Sequence, residues 1–238
     1  MDKIKEIGFK QYLVDTKLLP NDGYAMNYPE RIFIDDNELY CWEANTIIKI
    51  NGNEDGYFDF SKSMIDFGSH VGTFSFATEF NHYHMFDGNR ENCVLAEFNM
   101  LLHGKLDKCD VHNVLLSDKV ECVDYDGFNT EYTSKINSNV FDKKNSKKAQ
   151  CLTLDSFDLN NIGFIKADVE GMEYQVLKGG LGTIIRNNYP PILFELWEVG
   201  YYGMTQETHD QMVNFLEGLG YEIKWQWGDW ETHLAIHK

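Results

Sequence analysis

The feature that most constrains the fold is an alternation of short apolar runs with amphipathic stretches, beginning at Ser63 and continuing to the end of the chain. The apolar runs, such as residues 64–67 and 190–196, are short enough for buried strands and stand next to glycine, proline or acidic residues. Between them, stretches such as residues 91–102 repeat apolar side chains at three- and four-residue steps, as an amphipathic helix does. Repeated strand–helix units predict a mostly parallel, doubly wound α/β sheet with helices on both faces.

The same patterns give approximate bounds for the elements. Strands are predicted at residues 64–67, 83–86, 111–116, 162–169 and 190–196, and helices at residues 71–80, 91–102, 172–178 and 206–219. The last two apolar segments, residues 221–227 and 231–237, surround Gly228 and predict a hairpin that adds antiparallel strands at one edge. Residues 63–238 are therefore expected to form one compact domain. Residues 1–62 are expected to cover one side of the sheet, with short strands at residues 32–34 and 47–50.

Composition excludes several classes of protein. The 238 residues carry a formal net charge of −17, which disfavours nucleic acid as a partner because an acidic surface repels phosphates. The basic stretch at residues 143–148 is best interpreted as a solvated loop. The five cysteines contain no CxxC pair, so a zinc knuckle is not predicted. The charged first 15 residues resemble neither a signal peptide nor a membrane anchor, so a cytoplasmic protein that does not bind membranes is expected.

A glycine-containing loop follows the first predicted strand. In the stretch IDFGSHVG, Asp66 lies near the end of the strand, Gly68 and Gly72 allow a tight turn into a helix, and Ser69 and His70 lie between them. The free N–H groups of a helix N-terminus favour an anionic ligand group, which makes this loop a candidate cofactor site. The G-x-x-x-G spacing differs from the dinucleotide pattern G-x-G-x-x-G, and turn geometry alone is the open alternative.

Polar residues also follow the other predicted strands. Asp87 and Asn89 follow the second strand, where an acid can accept the hydroxyl groups of a ribose. Asp87 could instead cap the helix that follows. Ser117 follows the third strand, where the base of a nucleoside cofactor is expected, and Asp168 lies at the end of the fourth. In a doubly wound sheet these carboxyl ends meet on one side, so the sequence predicts a nucleoside cofactor there.

The stretch from Thr153 to Gly180 resembles the signature region of the FkbM-type methyltransferase family. That signature is a Thr-Leu-Asp followed by Lys-x-Asp-x-Glu-Gly-x-Glu and Leu-x-Gly, matched here by Thr153, Leu154, Asp155, Lys166, Asp168, Glu170, Gly171, Glu173, Leu177 and Gly179. The resemblance implies a Rossmann-like class I methyltransferase fold, S-adenosylmethionine as the methyl donor, and O-methylation, often of carbohydrates or natural products.

The resemblance extends over roughly residues 63–196. The first family motif is matched by Asp66, Gly68 and Gly72, and the late strand that ends in glutamate is matched by Glu195. Two positions depart from the pattern. His70 stands where the family usually has Asn, and Asp87-Gly88 stands where it has Glu-Pro. Aspartate keeps an acceptor for a ribose with a shorter reach, whereas His70 affects how the methionine end is held.

Methyl transfer to an alcohol needs an acceptor oxygen held near the methyl group and a route for its proton. Asp168, Glu170 and Glu195 are the predicted catalytic residues, and Asp168 and Glu170 would share a face if the strand stays extended there. Glu173 is expected at the same strand ends as these three acids, or it is a residue that favours the N-terminus of the next helix. One mechanism uses a carboxylate or histidine as general base. The other uses Mg²⁺ or Mn²⁺ held by Asp168 and Glu195.

The predicted function is therefore S-adenosylmethionine-dependent O-methylation of a small hydroxyl acceptor, a sugar or glycan. The aromatic residues that could stack on a sugar ring, or serve only in packing, are Tyr201, Tyr202, Trp225, Trp227 and Trp230.

The alternatives to this function are a non-catalytic cofactor-binding interaction module, a nicotinamide-dependent oxidoreductase, and an RNA methyltransferase, which the net charge disfavours. The histidines that show no spacing typical of a site are His82, His84, His103, His112 and His209. Oligomeric state is not predicted.

Overall fold

The computed structural model describes residues 43–125, 147–201, 203–229 and 231–238. Its strands are β1 (Ser63–Phe67), β2 (His82–Asp87), β3 (Cys109–Asn113), β4 (Leu115–Leu116), β5 (Glu121–Tyr125), β6 (Lys147–Leu152), β7 (Ile162–Ala167), β8 (Ile192–Glu195), β9 (Tyr221–Lys224) and β10 (Thr232–His237). Its α-helices are α1 (Ala44–Gly52), α2 (Thr73–Ala77), α3 (Arg90–Leu102), α4 (Glu173–Lys178), α5 (Leu181–Arg186) and α6 (Gln206–Gly218). Short 3-10 turns cover Leu106–Lys108 and Leu154–Phe157.

The central sheet has seven strands in the order β3-β2-β1-β7-β8-β10-β9. The contacts among β3, β2, β1, β7 and β8 are all parallel. Strand β10 lies antiparallel between β8 and β9, so β9 runs in the same direction as β8. The predicted mostly parallel α/β sheet is confirmed. The closing hairpin is also present, but only its second strand opposes the rest of the sheet.

Two predicted strands were wrong in part. The predicted third strand breaks after Asn113, and β4 pairs instead with β6 in a separate three-stranded sheet of order β4-β6-β5. The predicted fourth strand ends at Ala167, two residues early, because the chain turns away at the 168–171 loop.

Residues 47–50 were predicted as a strand and are part of helix α1. Ile47 and Ile50 are buried while Ile48 is exposed, which is the spacing of a helix face and not the alternation of a strand. The predicted strand at residues 32–34 lies outside the described residues. Of the proposed cover segment, residues 43–62 are described, and Ile47, Ile50 and Phe58 pack into the core.

A hydrophobic cluster covers each face of the central sheet. Helices α4 and α6 pack with Ile65, Phe86 and Phe194 on one face, and α1, α2 and α3 pack with Met64, Met85 and Phe164 on the other. The alternation of side chains along β1 explains why neighbouring residues enter different clusters. Among the described residues, none of the helices has the length and apolar character needed to cross a bilayer.

Candidate active site

The loop between β1 and α2 requires its glycines. Gly68 has a φ of +70°, and a Cβ added there would lie 1.7 Å from the carbonyl oxygen of Asp168. Gly72 has a φ of +80°, and its added Cβ would lie 2.8 Å from Met85 Cε. His70 also adopts a left-handed conformation, with a φ of +50°. Asparagine adopts this conformation more readily than most residues.

Asp87 joins this loop to the start of helix α3. Its Oδ2 accepts a hydrogen bond from the backbone N–H of His70 at 2.9 Å, and its Oδ1 accepts one from the N–H of Asn89 at 2.7 Å. The side-chain amide of Asn92 lies 3.3 Å from both oxygens. Burial raises the pKa of Asp87 to about 6, although these donors favour its ionised form. Asp87 therefore fixes the geometry of the loop, and its role as a ribose acceptor stays a prediction.

Two other predicted cofactor residues have clear structural contacts. Asn89 is the N-cap of α3, and its side chain accepts a hydrogen bond from the N–H of Glu91 at 2.8 Å. Ser117 follows β4 and is buried, with its backbone N–H donating to the carbonyl of Leu152 at 2.9 Å. A Cβ at Gly179 would lie 2.1 Å from the carbonyl oxygen of Ser117, so the two segments touch. Their roles toward a cofactor stay predictions.

A buried lysine lies beside these loops, and sequence reasoning did not assign it to the site. Lys166 Nζ lies 3.1 Å from Asp168 Oδ2, 3.8 Å from Asp66 Oδ1 and 3.8 Å from Glu43 Oε1. Only 4% of the Lys166 side chain is exposed, and Asp66 is fully buried. Asp66 also accepts a hydrogen bond from Ser75 Oγ at 2.6 Å. The Lys-x-Asp of the signature was the only signal in the sequence, and the structure adds the β1–β7 pairing, which places Asp66 opposite Lys166.

The charges around Lys166 offset its burial. Burial alone would lower the pKa of Lys166, yet the carboxylates of Asp168, Glu43 and Asp66 raise it above its ordinary value. Burial raises the pKa of Asp66, while the charge of Lys166 and the hydrogen bond from Ser75 lower it. Burial also raises the pKa of Glu43 to about 7, while Lys166 lowers it. One ammonium group therefore offsets the repulsion among three carboxyl groups, of which that of Asp66 is fully buried.

Three of the four predicted rim acids come together at the carboxyl ends of β7 and β8. The carboxylates of Asp168, Glu170 and Glu195 each offer an oxygen atom, and these atoms all lie within 4.8 Å of one another. The expected extended strand from Asp168 to Glu170 is wrong, since Glu170 has a φ of +58° and lies in the loop after β7. It reaches the other two acids through this turn. The set could hold a divalent cation or share a proton.

Glu195 is the most perturbed acid of the three. Burial, followed by the charges of Asp168, Glu170 and Glu173, raises its pKa to about 10, and Lys166 lowers it. Its Oε2 is buried and has no hydrogen-bond partner among the described residues. A carboxyl group in this environment is protonated at neutral pH unless a cation approaches it.

Glu173 is not part of this three-acid set, although its charge helps to raise the pKa of Glu195. It is buried, and its Oε1 accepts hydrogen bonds from the backbone N–H groups of Val169 at 2.8 Å and Gly171 at 3.1 Å. Burial raises the pKa of Glu173 to about 7, and these hydrogen bonds lower it. Glu173 therefore lies near the rim acids without joining their set, and a catalytic role for it stays a prediction. Its position at the first turn of α4 fits the alternative, in which it stabilises the loop and the helix start.

Exposed aromatic rings lie at the same end of the sheet. Tyr201 follows β8 and Trp225 follows β9, and their exposed fractions are 61% and 50%. Trp225 stacks on His209 with ring centroids 6.0 Å apart. Trp227 instead packs against Phe58. The other two aromatic candidates, Tyr202 and Trp230, lie outside the described residues.

Comparisons with known proteins bear on the family and the fold of this chain. Residues 66–223 match the model of the methyltransferase FkbM domain. The fold is similar to that of Methyltransferase FkbM from Methylobacillus flagellatus KT, with a TM-score of 0.55 and 16% identity. That alignment covers 99% of this chain and 60% of the other, so this chain spans less than two thirds of that protein's length.

A second solved structure has a similar fold. It is a protein from Staphylococcus aureus provisionally named a caffeoyl-CoA O-methyltransferase, with a TM-score of 0.52 and 12% identity. The alignment covers 97% of this chain and 99% of the other. Identities this low support the fold alone. No curated protein matches the sequence.

Proposed function

Because this chain belongs to the FkbM methyltransferase family, we propose that it is an S-adenosylmethionine-dependent O-methyltransferase whose acceptor is a hydroxyl group of a sugar or glycan. The observation that carries the proposal is the acid set Asp168, Glu170 and Glu195 beside the Gly68–Gly72 loop. Membership of a methyltransferase family implies S-adenosylmethionine as the methyl donor. The hydroxyl acceptor is inferred from the chemistry of the acids.

The residues of the first loop fit this cofactor. Ser69 Oγ is buried and has no hydrogen-bond partner in the described part of the chain, so it is available to a ligand. Asp168 is partly exposed at the neighbouring strand end, and its negative charge suits a cationic methionine end. Asp87 holds the loop through His70 and Asn89, and its carboxylate is the acceptor that we assign to the ribose hydroxyls.

The acid set supplies what an alcohol acceptor needs. The cofactor supplies an electrophilic methyl group. An alcohol is a weak nucleophile, so a group on the protein must take its proton as the oxygen attacks. Glu195 fits this role because its buried Oε2 makes no hydrogen bond among the described residues, and its raised pKa makes its anion a strong base. Asp168 and Glu170 lie close enough to orient the acceptor hydroxyl.

A divalent cation is the second form of the same proposal. Asp168 and Glu195 offer the hard oxygen ligands that Mg²⁺ and Mn²⁺ prefer, with Glu170 beside them. A cation there would favour the ionised form of a nearby hydroxyl group. It would also lower the pKa of Glu195 by offsetting the repulsion among the acids.

The acceptor class is inferred from the surroundings of the site. The exposed rings of Tyr201 and Trp225 follow β8 and β9 in the chain, and exposed aromatic rings of this kind stack on sugar rings. The formal net charge of −17 disfavours RNA as the acceptor. Carboxylates near the methyl group also suit a neutral hydroxyl better than an anionic substrate.

Isothermal titration with S-adenosylmethionine and S-adenosylhomocysteine, with and without Mg²⁺, tests the cofactor. We expect micromolar binding of both. Asp87→Ala should weaken the binding of S-adenosylhomocysteine, and Asn92→Ala, which removes only a donor to Asp87, should weaken it less. Unchanged affinity in Asp87→Ala would contradict the ribose role, and no binding to the wild-type chain would contradict the enzyme.

Transfer of a labelled methyl group to a panel of mono- and oligosaccharides tests the acceptor. We expect label on a hydroxyl oxygen of at least one sugar, and none after Asp168→Ala or Glu195→Ala. Activity that survives in both variants would rule out both forms of the mechanism. Tight cofactor binding with no transfer to any hydroxyl compound would support the non-catalytic interaction module instead.

A further inference from the structure

Two histidines and an aspartate meet on one face of β2 and β3, away from the acid set. His82 and His84 alternate on β2 and so share a face, and β3 places Asp110 directly opposite His84. Asp110 Oδ2 lies 2.9 Å from His82 Nε2 and 3.4 Å from His84 Nδ1. Cys109, the preceding residue, points to the opposite face.

We propose that His82, His84 and Asp110 form a binding site for a divalent transition-metal ion, with Zn²⁺ as the best match. Imidazole nitrogen and carboxylate oxygen are the ligand types that Zn²⁺ takes together with cysteine. Ligand atoms about 2.0–2.1 Å from a tetrahedral ion stand about 3.3 Å apart. The two distances to Asp110 bracket this value, and the three ligand atoms lie within 4.8 Å of one another.

A hydrogen bond between His82 and Asp110 explains only part of this arrangement. It leaves His84 Nδ1 buried and without a hydrogen-bond partner among the described residues, although the carboxylate stands 3.4 Å away. A buried polar atom without a partner is costly. An ion between the nitrogen and the carboxylate would satisfy it. Asp110 is 55% exposed, so an ion can enter, and water can complete the coordination.

The position of the site indicates a stabilising role. Strand β2 runs from His82 to Asp87, and Asp87 is at the end of the sheet where the acid set lies. His82 is five residues earlier, which is about 16 Å along the strand. β3 is an edge strand of the central sheet and is held there by β2. An ion bound by both strands would fix this edge, and the bound chain would be more stable by mass action. The inference does not depend on the proposed methyl transfer.

Titration of the full chain with ZnCl₂ in millimolar Mg²⁺, which occupies hard oxygen sites in preference to imidazole, tests the proposal. We expect one Zn²⁺ per chain from this site, a rise in Tm with Zn²⁺, and at least a tenfold loss of affinity in His84→Ala. His82→Ala and Asp110→Asn affect more exposed residues, so they keep the test valid if His84→Ala does not fold. His103→Ala removes a histidine that stacks on Phe76 and is the matched control.

Two results would overturn the proposal. One is an absence of Zn²⁺ binding to the wild-type chain at 100 times the protein concentration. The other is Zn²⁺ binding and a Tm rise that are the same in the wild type, His82→Ala and Asp110→Asn. In the second case the ion binds elsewhere, and His82, His84 and Asp110 form only a hydrogen-bonded cluster.

Discussion

Lys166 donates a hydrogen bond to Asp168 at 3.1 Å, from a side chain that is almost fully buried on β7 to one that is partly exposed directly after that strand. Because the two residues alternate along the chain, both project to the face where Asp66 lies on β1. The Lys-x-Asp pair of the family motif is thus an ion pair that begins in the core and ends at the proposed active site.

Replacing Lys166 by methionine should destabilise the chain. The change keeps the length of the side chain but leaves Asp66 buried without its counter-ion. Removing one partner of a buried pair costs about 3–5 kcal/mol, and protonation of the acids would bring the loss toward about 3 kcal/mol. Urea unfolding at pH 8 measures it. Lys178→Met removes an exposed ion pair with Asp118 and should change the stability little, so equal losses in the two variants would contradict the role of Lys166.

Replacing Gly68 by alanine should distort the loop between β1 and α2. Gly56 offers a matched control, since its φ of +69° is nearly that of Gly68 but an added Cβ would meet nothing within 4 Å. Gly56→Ala should cost about 1 kcal/mol, the strain of the left-handed conformation. Gly68→Ala adds a contact of 1.7 Å with the backbone of Asp168 and should cost about 3 kcal/mol or more.

Guanidinium unfolding of both variants, together with titration of S-adenosylhomocysteine, makes this comparison. We expect loss of measurable binding in Gly68→Ala alone. Equal costs in the two variants would show that conformation, and not the close approach to Asp168, explains this glycine.

The fold was largely predictable because buried strands and amphipathic helices have different periods. The parallel order of β1, β7 and β8 follows from the repeated strand–helix units, and Asp168 and Glu195 were correctly placed at neighbouring strand ends. The segment at residues 47–50 failed because four consecutive residues, three of them isoleucine, fit a strand and a helix equally well. The burial of Ile47 and Ile50 in one core cluster with Phe58 favours the helix.

Parts of the site could not be predicted because they depend on contacts between distant segments. Glu43 approaches Lys166 from a segment with no family pattern, and nothing local marks it. The grouping of His84 with Asp110 depends on the register of two strands separated by helix α3. Glu170 itself adopts a left-handed conformation, which is uncommon for glutamate, and Gly171 after it also has a positive φ. A sequence pattern does not reveal the turn that brings Glu170 to Glu195.

Stability should fall as pH rises through the titration of Glu173. Its pKa is raised to about 7 by burial, so between about pH 4.5 and 7 the folded chain binds a proton that the unfolded chain has released. The protonated acid therefore favours the folded state below this range, and the advantage is lost by about pH 7. Integrated over the shift, the loss is about 3 kcal/mol.

Glu173→Gln should remove this part of the pH dependence, since its amide oxygen can still accept the hydrogen bonds from Val169 and Gly171. Urea unfolding at pH 5, 6, 7 and 8 measures the slope. Glu97→Gln changes an exposed residue of α3 and should leave the slope as it is in the wild type. A slope that does not differ between wild type and Glu173→Gln would place the titration elsewhere.

Methyl transfer should depend on the protonation of Glu195. Its pKa is raised to about 10 by burial and by the neighbouring acids, so in EDTA the fraction that can accept a proton grows from neutral pH to about pH 10. We expect the rate to rise over this range, and Glu195→Gln to lower kcat by about 10²–10⁴-fold at every pH. Glu198→Gln, an exposed neighbour, should keep the wild-type profile.

The same experiment distinguishes the cation form of the mechanism. If EDTA abolishes transfer, and Mg²⁺ restores it with a rate that rises at a lower pH, the cation form is correct, because a bound cation lowers the pKa of the acids. A wild-type rate in Glu195→Gln would exclude Glu195 from the proton transfer in either form.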